Sequence, residues 1–297
     1  MSLKNFLLAA IIPLFLLAAC TSQAAEDSSA SANYIENKGS DTMVNLALSW
    51  AETYQAAYPE TRISVSGGGS GTGIAALING TVSIANASRV ITTEEVENAL
   101  AKNIVPVEHV VARDAIAVIV NPENPVSELT LQQLSDIYSG KINNWSEVGG
   151  EDRPIVRLSR ETNSGTHVYF LETVLRLGEE DNTTLFSTDT LLLPSSEGIT
   201  AEVSDNPNAI GYDGLGYVVP EVKTLAVAAA QGQAYVLPSA ESVNDGSYPI
   251  ARDLYMYTSG EPQGVIKEYL EWIYSSEAQQ IVSDLGFVPY QAEDGQP

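Results

Sequence analysis

Hydrophobic and polar positions follow two different periods along this chain, and the two periods alternate. From residue 34 onward, short runs of β-branched residues precede segments in which apolar residues recur three or four positions apart. Ile63 and Val65 alternate with polar neighbours, which is typical of a half-buried strand, whereas Val44 and Leu48 stand at helical spacing. Strands that alternate with helices in this way predict an α/β fold.

Further elements follow from the same patterns and from their start signals. Thr92 and Glu95 have the three-residue spacing of a capping box, and so do Thr130 and Gln133, so each pair predicts the start of a helix. The patterns predict strands at 110–111, 115–120, 155–158 and within 209–219, and helices at 74–78, 130–138, 168–175, 263–274 and 276–285.

The amino-terminal residues have the pattern of an export signal. Lys4 precedes an uncharged apolar stretch, 6–19, which is too short for an ordinary membrane span of ~20 residues. Leu17-Ala18-Ala19-Cys20 resembles a bacterial lipobox, in which the cysteine becomes lipidated; an ordinary signal peptide with an incidental cysteine is the alternative. We therefore predict a lipoprotein signal peptide at 1–19 and a flexible, lipidated tether at 20–33.

Composition excludes several classes of protein. The chain has 297 residues, of which 14 are Lys or Arg and 38 are Asp or Glu, and its formal charge is −24. Binding of nucleic acid is not expected, because it needs clustered cationic residues. A single cysteine rules out an intramolecular disulfide, and with only His109 and His167 as histidines we expect no metal site and no cofactor.

Three loops share a design that suits an oxyanion. Gly39-Ser40-Asp41-Thr42, Ser66 to Gly73 and Arg160 to Thr166 each place Gly, Ser or Thr between a strand pattern and a helix pattern. Helix amino termini offer unpaired N–H donors, and glycine lets the backbone approach a ligand closely. Each loop by itself is more often a cap or a tight turn, so the prediction depends on all three together with Arg89 and Arg160.

The same residues resemble those of the phosphate-binding proteins of bacterial ABC phosphate importers, the PstS family. The resemblance runs from about Tyr34 to Tyr290, and its most specific motif is Arg160 followed by Ser164-Gly165-Thr166. The other shared motifs are Gly39-Ser40-Asp41-Thr42, Gly69-Ser70-Gly71-Thr72-Gly73, Asn86-Ala87-Ser88-Arg89 and Ala209-Ile210-Gly211-Tyr212.

The resemblance implies a two-lobed periplasmic-binding-protein fold of type II. Each lobe would be a mixed sheet flanked by helices, with the ligand in the cleft between the lobes. Residues 34–112 and 252–297 would form lobe one, and residues 113–251 would form lobe two.

Ligand-binding residues are implied as well. Lobe one would contribute Ser40, Asp41, Thr42, Ser70, Gly71, Ser88 and Arg89, and lobe two would contribute Arg160, Ser164, Gly165 and Thr166. For Ser88 two roles stay open, donation to phosphate or capping of the following turn.

Arg89 departs from the family pattern, because the best-known members have an aspartate there that accepts the proton of bound hydrogen phosphate. Asp41 is the candidate replacement, with Arg89 supplying positive charge either directly or by pairing with Asp41. The alternative is that Asp41 only caps the helix expected to begin at residue 42. Asp114 and Asp213 are expected at the solvated surface rather than in the cleft.

These features predict a high-affinity receptor that binds inorganic phosphate outside the cytoplasm and delivers it to the permease subunits of an ABC importer. The protein would be a monomer, not an enzyme, and lipid-anchored at the outer face of the cytoplasmic membrane or in the periplasm. A binding protein for another oxyanion (sulfate, molybdate or tungstate), or a phosphate sensor, is the first alternative. A secreted phosphatase with Ser70 or Ser164 as nucleophile is the second, although no base for it is evident in the sequence.

Overall fold

The computed structural model describes residues 33–290, so the predicted signal peptide, Cys20 and nearly all of the predicted tether lie outside the described residues. The strands are β1 (Tyr34–Gly39), β2 (Arg62–Ser66), β3 (Ile84–Ala87), β4 (Pro106–Val120), β5 (Glu128–Thr130), β6 (Val156–Arg160), β7 (Leu191–Leu193), β8 (Ala209–Gly214), β9 (Lys223–Thr224), β10 (Ala226–Ala228), β11 (Ala251–Ser259) and β12 (Val288–Pro289). The α-helices are α1 (Val44–Ala57), α2 (Ser70–Ile78), α3 (Thr93–Leu100), α4 (Leu131–Tyr138), α5 (Gly165–Phe170), α6 (Ser196–Asp205), α7 (Ala240–Asn244), α8 (Gly264–Ile273) and α9 (Ser276–Asp284). Short 3₁₀ turns lie at Asp41–Met43, Trp145–Val148 and Leu215–Tyr217.

Local sequence explains where α3 and α4 begin. The Thr92 hydroxyl accepts a hydrogen bond from the Glu95 N–H, and the Glu95 carboxylate accepts one from the Thr92 N–H. Thr130 and Gln133 make the same reciprocal pair before α4. Both predicted capping boxes are therefore confirmed.

The helix predicted from residue 168 has a different form in the structure. α5 already begins at Gly165, and a π-helical turn at Leu171–Leu175 follows it directly. In this wider turn the Arg176 N–H donates to the carbonyl of Leu171. The apolar spacing could not distinguish the two forms, because a single π turn adds only one residue to the helical repeat.

The first lobe is built on a sheet with the strand order β2-β1-β3-β11-β4. β1 is parallel to β2 and β3, whereas β11 is antiparallel to β3 and β4. The carboxyl ends of β1, β2 and β3 therefore meet at one edge of the sheet, where Gly39 pairs with Asn86. Loops that follow parallel strands at such an edge are well placed to surround a ligand.

β4 continues into the second lobe, and its pairing partner changes on the way. It pairs with β11 as far as Ala115 and with β8 from Ile116 onward. The second sheet has the order β4-β8-β6-β7, with β6 parallel to both β7 and β8. The sheets of the two lobes are thus halves of one mixed sheet that share β4, and with their flanking helices they confirm the predicted fold class, whereas the boundaries at 112/113 and 251/252 stay predictions.

Apolar side chains cover both faces of each sheet. In the first lobe Trp50 of α1 packs on one face and Ile74 of α2 on the other. In the second lobe Phe170 of α5 and Ile199 of α6 occupy opposite faces in the same way. Within residues 33–290, no helix is both long enough and apolar enough to cross a bilayer.

Gly73 sets the distance between α2 and β1. A Cβ at this position would lie 2.6 Å from the Gly39 Cα and still closer to the Lys38 carbonyl oxygen. Both neighbours are backbone atoms, which cannot rotate away as a side chain can. The missing side chain thus lets α2, and with it Ser70 at the helix start, approach the end of β1.

Gly73→Ala is expected to lower the free energy of unfolding, although alanine favours a helix over glycine by about 1 kcal/mol. Overpacking against backbone costs about 1–3 kcal/mol and should outweigh that gain. Ala75→Gly, on the exposed side of the same helix, is the control and should lose about 0.5–1 kcal/mol through propensity alone. Urea denaturation measures both variants; a Gly73→Ala protein as stable as the wild type would contradict the close-packing argument.

Candidate anion-binding site

The loops singled out in the sequence lie at the carboxyl edges of the two sheets. In the first lobe, Ser40 follows β1, Ser70 is the first residue of α2 after β2, and Ser88 follows β3. In the second lobe, Arg160 is the last residue of β6, and Ser164 caps α5. The loops of both lobes therefore face the region where the lobes meet.

Three serine hydroxyls of the first lobe are buried there. Ser70 Oγ accepts a hydrogen bond from the Ser88 N–H at 3.0 Å and lies 3.3 Å from Ser88 Oγ. Ser40 Oγ caps no helix and has no hydrogen-bond partner among residues 33–290. None of the three residues is more than 2% exposed, so only a group that reaches into the interior could contact these hydroxyls.

Direct contacts join the two lobes beside these serines. The Thr42 and Thr166 hydroxyl oxygens lie 2.8 Å apart, one on each lobe. The Gly71 N–H donates to the Asn163 carbonyl at 3.1 Å. Sequence motifs separated by about a hundred residues are thus brought within hydrogen-bond distance of one another.

Gly165 has no room for a side chain. A Cβ built on it would collide with Ser70 Oγ and would lie 2.6 Å from Ser88 Oγ. Glycine is therefore required for the start of α5 to sit against the serine pair of the first lobe.

Arg160 is buried between the lobes, with carboxylates on two sides. Its Nη2 donates to Asp41 Oδ2 at 2.8 Å, and its Nη1 lies 3.9 Å from Asp213 Oδ2. Nη1 also donates to Ser196 Oγ at 2.7 Å, and the Ser196 hydroxyl donates in turn to Asp213 Oδ1. The Asp41 carboxylate is thus a partner of Arg160 across the lobes and not a simple helix cap.

Asp213 lies in the interior, so the expectation that it is at the surface is wrong. The residue is 1% exposed, and its Oδ2 has no hydrogen-bond partner within the described part of the chain. Burial raises the pKa of Asp213 to about 6, because the loss of hydration outweighs the attraction of Arg160. The surrounding Gly-Tyr-Asp-Gly sequence of β8 carries no apolar run that would have signalled burial.

Arg89 pairs with Glu95 rather than with Asp41, which corrects one of the two roles considered for it. Nη1 and Nη2 donate to the two Glu95 carboxylate oxygens at 2.8 and 2.7 Å. Burial raises the pKa of Glu95, but hydrogen bonds from Arg89 and from the Thr92 backbone outweigh it and leave that pKa below its usual value. Arg89 Nη2 lies 3.8 Å from the position that a Gly71 Cβ would occupy, so Arg89 lies close to the Gly71 loop. A direct role of Arg89 in binding stays a prediction.

A further buried arginine, which the sequence did not reveal, lies beside the serines. Arg252 of β11 donates to Asp114 Oδ2 of β4 from both Nε and Nη2, at 3.2 and 2.9 Å. Asp114 is fully buried, so its expected surface position is also wrong, and burial raises its pKa although Arg252 opposes the rise. The sequence carries one signal for this burial, because Asp114 directly precedes the apolar run 115–120.

The arrangement is rich in donors and suits an oxyanion. Guanidinium groups, hydroxyls and backbone N–H groups converge from both lobes, and each can donate to an anionic oxygen. Asp41 adds a carboxylate, which accepts hydrogen bonds and can distinguish a protonated oxyanion from an unprotonated one. In the part of the chain that the structure describes, no group of three or more His, Cys, Asp or Glu side chains is placed to hold a metal ion.

Comparison with known sequences identifies relatives over most of the chain. The model of the PBP superfamily domain matches residues 24–277. The phosphate-binding protein PstS of Pseudomonas aeruginosa is 32% identical over 276 residues, which cover 87% of this chain and 84% of that protein. The phosphate-binding protein PstS of Bacillus subtilis is 34% identical over 253 residues, which cover 84% of this chain and 79% of that protein.

Solved structures give the same result. A putative phosphate ABC transporter substrate-binding protein from Clostridium perfringens, with bound phosphate, has a TM-score of 0.77 at 32% identity and covers 87% of this chain and 100% of its own. An ABC-type phosphate transport receptor from Vibrio cholerae has a TM-score of 0.70 at 28% identity, with 86% and 100% covered. This chain therefore belongs to the PBP superfamily and, within it, to the PstS family of phosphate-binding proteins.

Proposed function

We propose that the protein binds inorganic phosphate outside the cytoplasm and delivers it to the permease subunits of an ABC importer. The observation that carries the proposal is the pairing of the buried Arg160 with the partly buried Asp41 between the lobes, next to the paired hydroxyls of Thr42 and Thr166. Relatives that are named phosphate-binding proteins, and a structural neighbour described as an ABC-type phosphate transport receptor, support it.

The proposed binding residues offer both kinds of hydrogen-bonding group that hydrogen phosphate needs. They are Ser40, Asp41, Thr42, Ser70, Gly71, Ser88, Arg89, Arg160, Ser164, Gly165 and Thr166. Donors bind the unprotonated oxygens, and a planar guanidinium matches two of them at once. The Asp41 carboxylate would accept the P–OH hydrogen, which the sulfate dianion lacks, so the site would favour phosphate.

Closure of the lobes would complete the site. With lobe one formed by 34–112 and 252–297 and lobe two by 113–251, each lobe contributes one part of the donor set. Opening would separate Thr42 from Thr166 and Asp41 from Arg160, which gives phosphate a route in and out. This is the hinge type of conformational change.

The proposal includes an anchor and a cellular location. A signal peptide at 1–19 and lipidation of Cys20 would hold a monomer at the outer face of the cytoplasmic membrane or in the periplasm. There the tether would let the folded part of the chain reach the permease subunits.

Arg160→Ala is expected to weaken phosphate binding at least about tenfold, because truncating a buried, hydrogen-bonded charge costs about 2–5 kcal/mol. Titration calorimetry on the soluble fragment after Cys20 measures the effect. Arg153→Ala is the control, because Arg153 pairs with Glu151 at the exposed surface, where ion pairs contribute little. If Arg160→Ala binds phosphate as tightly as the control, Arg160 does not belong to the site.

Asp41→Asn is expected to bring the affinities for phosphate and sulfate closer together, because the amide no longer repels a dianion and can donate to it. Calorimetry with both anions gives the ratio of the two dissociation constants. Asp213→Asn is the control. The Asp213 carboxylate lies beside Arg160 and accepts a hydrogen bond from Ser196, so this substitution should change the affinities for both anions and leave the ratio of the two dissociation constants unchanged. An unchanged ratio in Asp41→Asn would remove the selectivity role from Asp41.

We further propose that the protein is not an enzyme. Ser70 Oγ contacts Ser88, Ser164 Oγ accepts from the Thr166 N–H, and His167 hydrogen-bonds Ser159 instead of either serine. A serine nucleophile needs a base within hydrogen-bond reach. We therefore expect no hydrolysis of an aryl phosphate by the wild type, and turnover that disappears in Ser164→Ala would favour the phosphatase alternative.

A further inference from the structure

Arg252 lies where the strands that connect the lobes pair with each other. It stands on β11 opposite Asp114 of β4, one register position from Ala115, where β4 leaves β11 before pairing with β8. Arg252 is 6% exposed and Asp114 is 0% exposed. The charged pair is therefore buried at the junction of the lobes.

The Arg252 guanidinium donates in three directions. Besides its two bonds to Asp114 Oδ2, Nη1 donates to the Ser88 carbonyl at 2.9 Å and Nη2 to Thr166 Oγ1 at 3.0 Å. Ser88 belongs to a loop of the first lobe, and Thr166 belongs to the first turn of α5 in the second. One side chain thus connects a loop of the first lobe and the start of α5 in the second to the junction strands, and its Cζ lies 5.6 Å from the centroid of the Tyr169 ring.

This contact also determines which way the Thr166 hydroxyl can donate. A guanidinium has donors only, so Thr166 Oγ1 must accept the hydrogen bond from Arg252. The hydroxyl hydrogen of Thr166 is then left for a second acceptor, such as Thr42 Oγ1 at 2.8 Å or an oxygen of a bound anion. Thr166 is in this way kept as a donor on the side that faces the first lobe.

We propose that Arg252 is a positioning residue of the phosphate site. It holds the Ser88 loop and the first turn of α5 against the junction strands when the lobes are closed, and it keeps Thr166 as a hydrogen-bond donor to phosphate. This inference rests on the proposed function of the protein. Because Arg252 uses four of its five N–H groups on protein partners, its loss should shorten the life of the closed complex rather than slow the encounter with phosphate.

The same two strands carry a matched pair that lacks these contacts. Arg113 and Asp253 are partners at the next register position, with their charged atoms 3.5 Å apart and their side chains 34% and 42% exposed. Adjacent residues of a strand face opposite sides of the sheet, so this pair points away from Arg252. The other hydrogen bonds of Arg113 go to Val243 and Asn244 at α7.

Stopped-flow measurement of phosphate association and dissociation tests the proposal. Arg252→Gln should raise the dissociation rate constant about tenfold and change the association rate constant by less than about twofold. Arg252→Lys should give an intermediate dissociation rate, because a compact ammonium keeps the charge but cannot span the three partners. Arg113→Gln should leave both rate constants within about twofold of the wild type.

A second variant separates positioning from folding. Arg252→Gln leaves the Asp114 carboxylate buried without its partner, which can unfold the protein, so Arg252→Met combined with Asp114→Asn removes both charges. Thermal unfolding identifies the folded variants, and a folded one that releases phosphate as slowly as the wild type overturns the positioning role. A slower association with unchanged dissociation overturns it too. A wild type that binds no phosphate would instead contradict the proposed function on which the inference rests.

Discussion

The burial of guanidinium groups between two lobes is the constraint on which the rest of this structure depends. Arginine keeps its charge at any pH that the protein meets, so a buried one needs carboxylates or carbonyls within reach. Arg160 has Asp41 from the first lobe and Asp213 from the second, and Arg252 has Asp114 on the neighbouring strand. Because Asp41 and Arg160 belong to different lobes, their pairing is complete only when the lobes are in contact. The requirement to pair a buried charge therefore ties the state of the site to the arrangement of the lobes.

The same pairs reconcile an acidic protein with an anionic ligand. A formal charge of −24 repels phosphate at a distance, but salt screens that repulsion over ~8–10 Å. At contact range the buried arginines are largely neutralised by their own carboxylates, so the site does not attract anions through a strong positive charge. Affinity must then come from hydroxyls, backbone N–H groups and the remaining guanidinium donors, whose directions can match the four oxygens of a tetrahedral anion.

What the sequence could predict was local. The capping box of Thr92 and Glu95 follows from a spacing of three residues, and the loops of glycine and serine follow from strand and helix patterns that flank them. Arg89 and Glu95 are only six residues apart, yet the sequence does not predict their pairing, because the capping box already accounts for Glu95. Arg252 and Asp114 are 138 residues apart and meet only because β11 pairs with β4. A register between distant strands is set by the whole topology, which no local pattern contains, so the sequence does not distinguish a buried charge inside a strand from a surface residue.

These contacts also limit what lobe opening can change. Arg252 and Asp114 are partners in one β-ladder, so the proposed opening would leave their pair intact, whereas it would have to break the Asp41–Arg160 pair. The free energy of ligand binding is therefore the difference between the free energy of the contacts that the ligand makes and that of the contacts between the lobes that it replaces. Asp41 contributes to both of these sets of contacts, because its carboxylate pairs with Arg160 between the lobes and can accept a hydrogen bond from the P–OH group of a ligand. An oxyanion without such a hydrogen would have to approach that carboxylate with nothing to donate, so under the proposed function the residue that pairs with Arg160 across the lobes would also select what can lie between them.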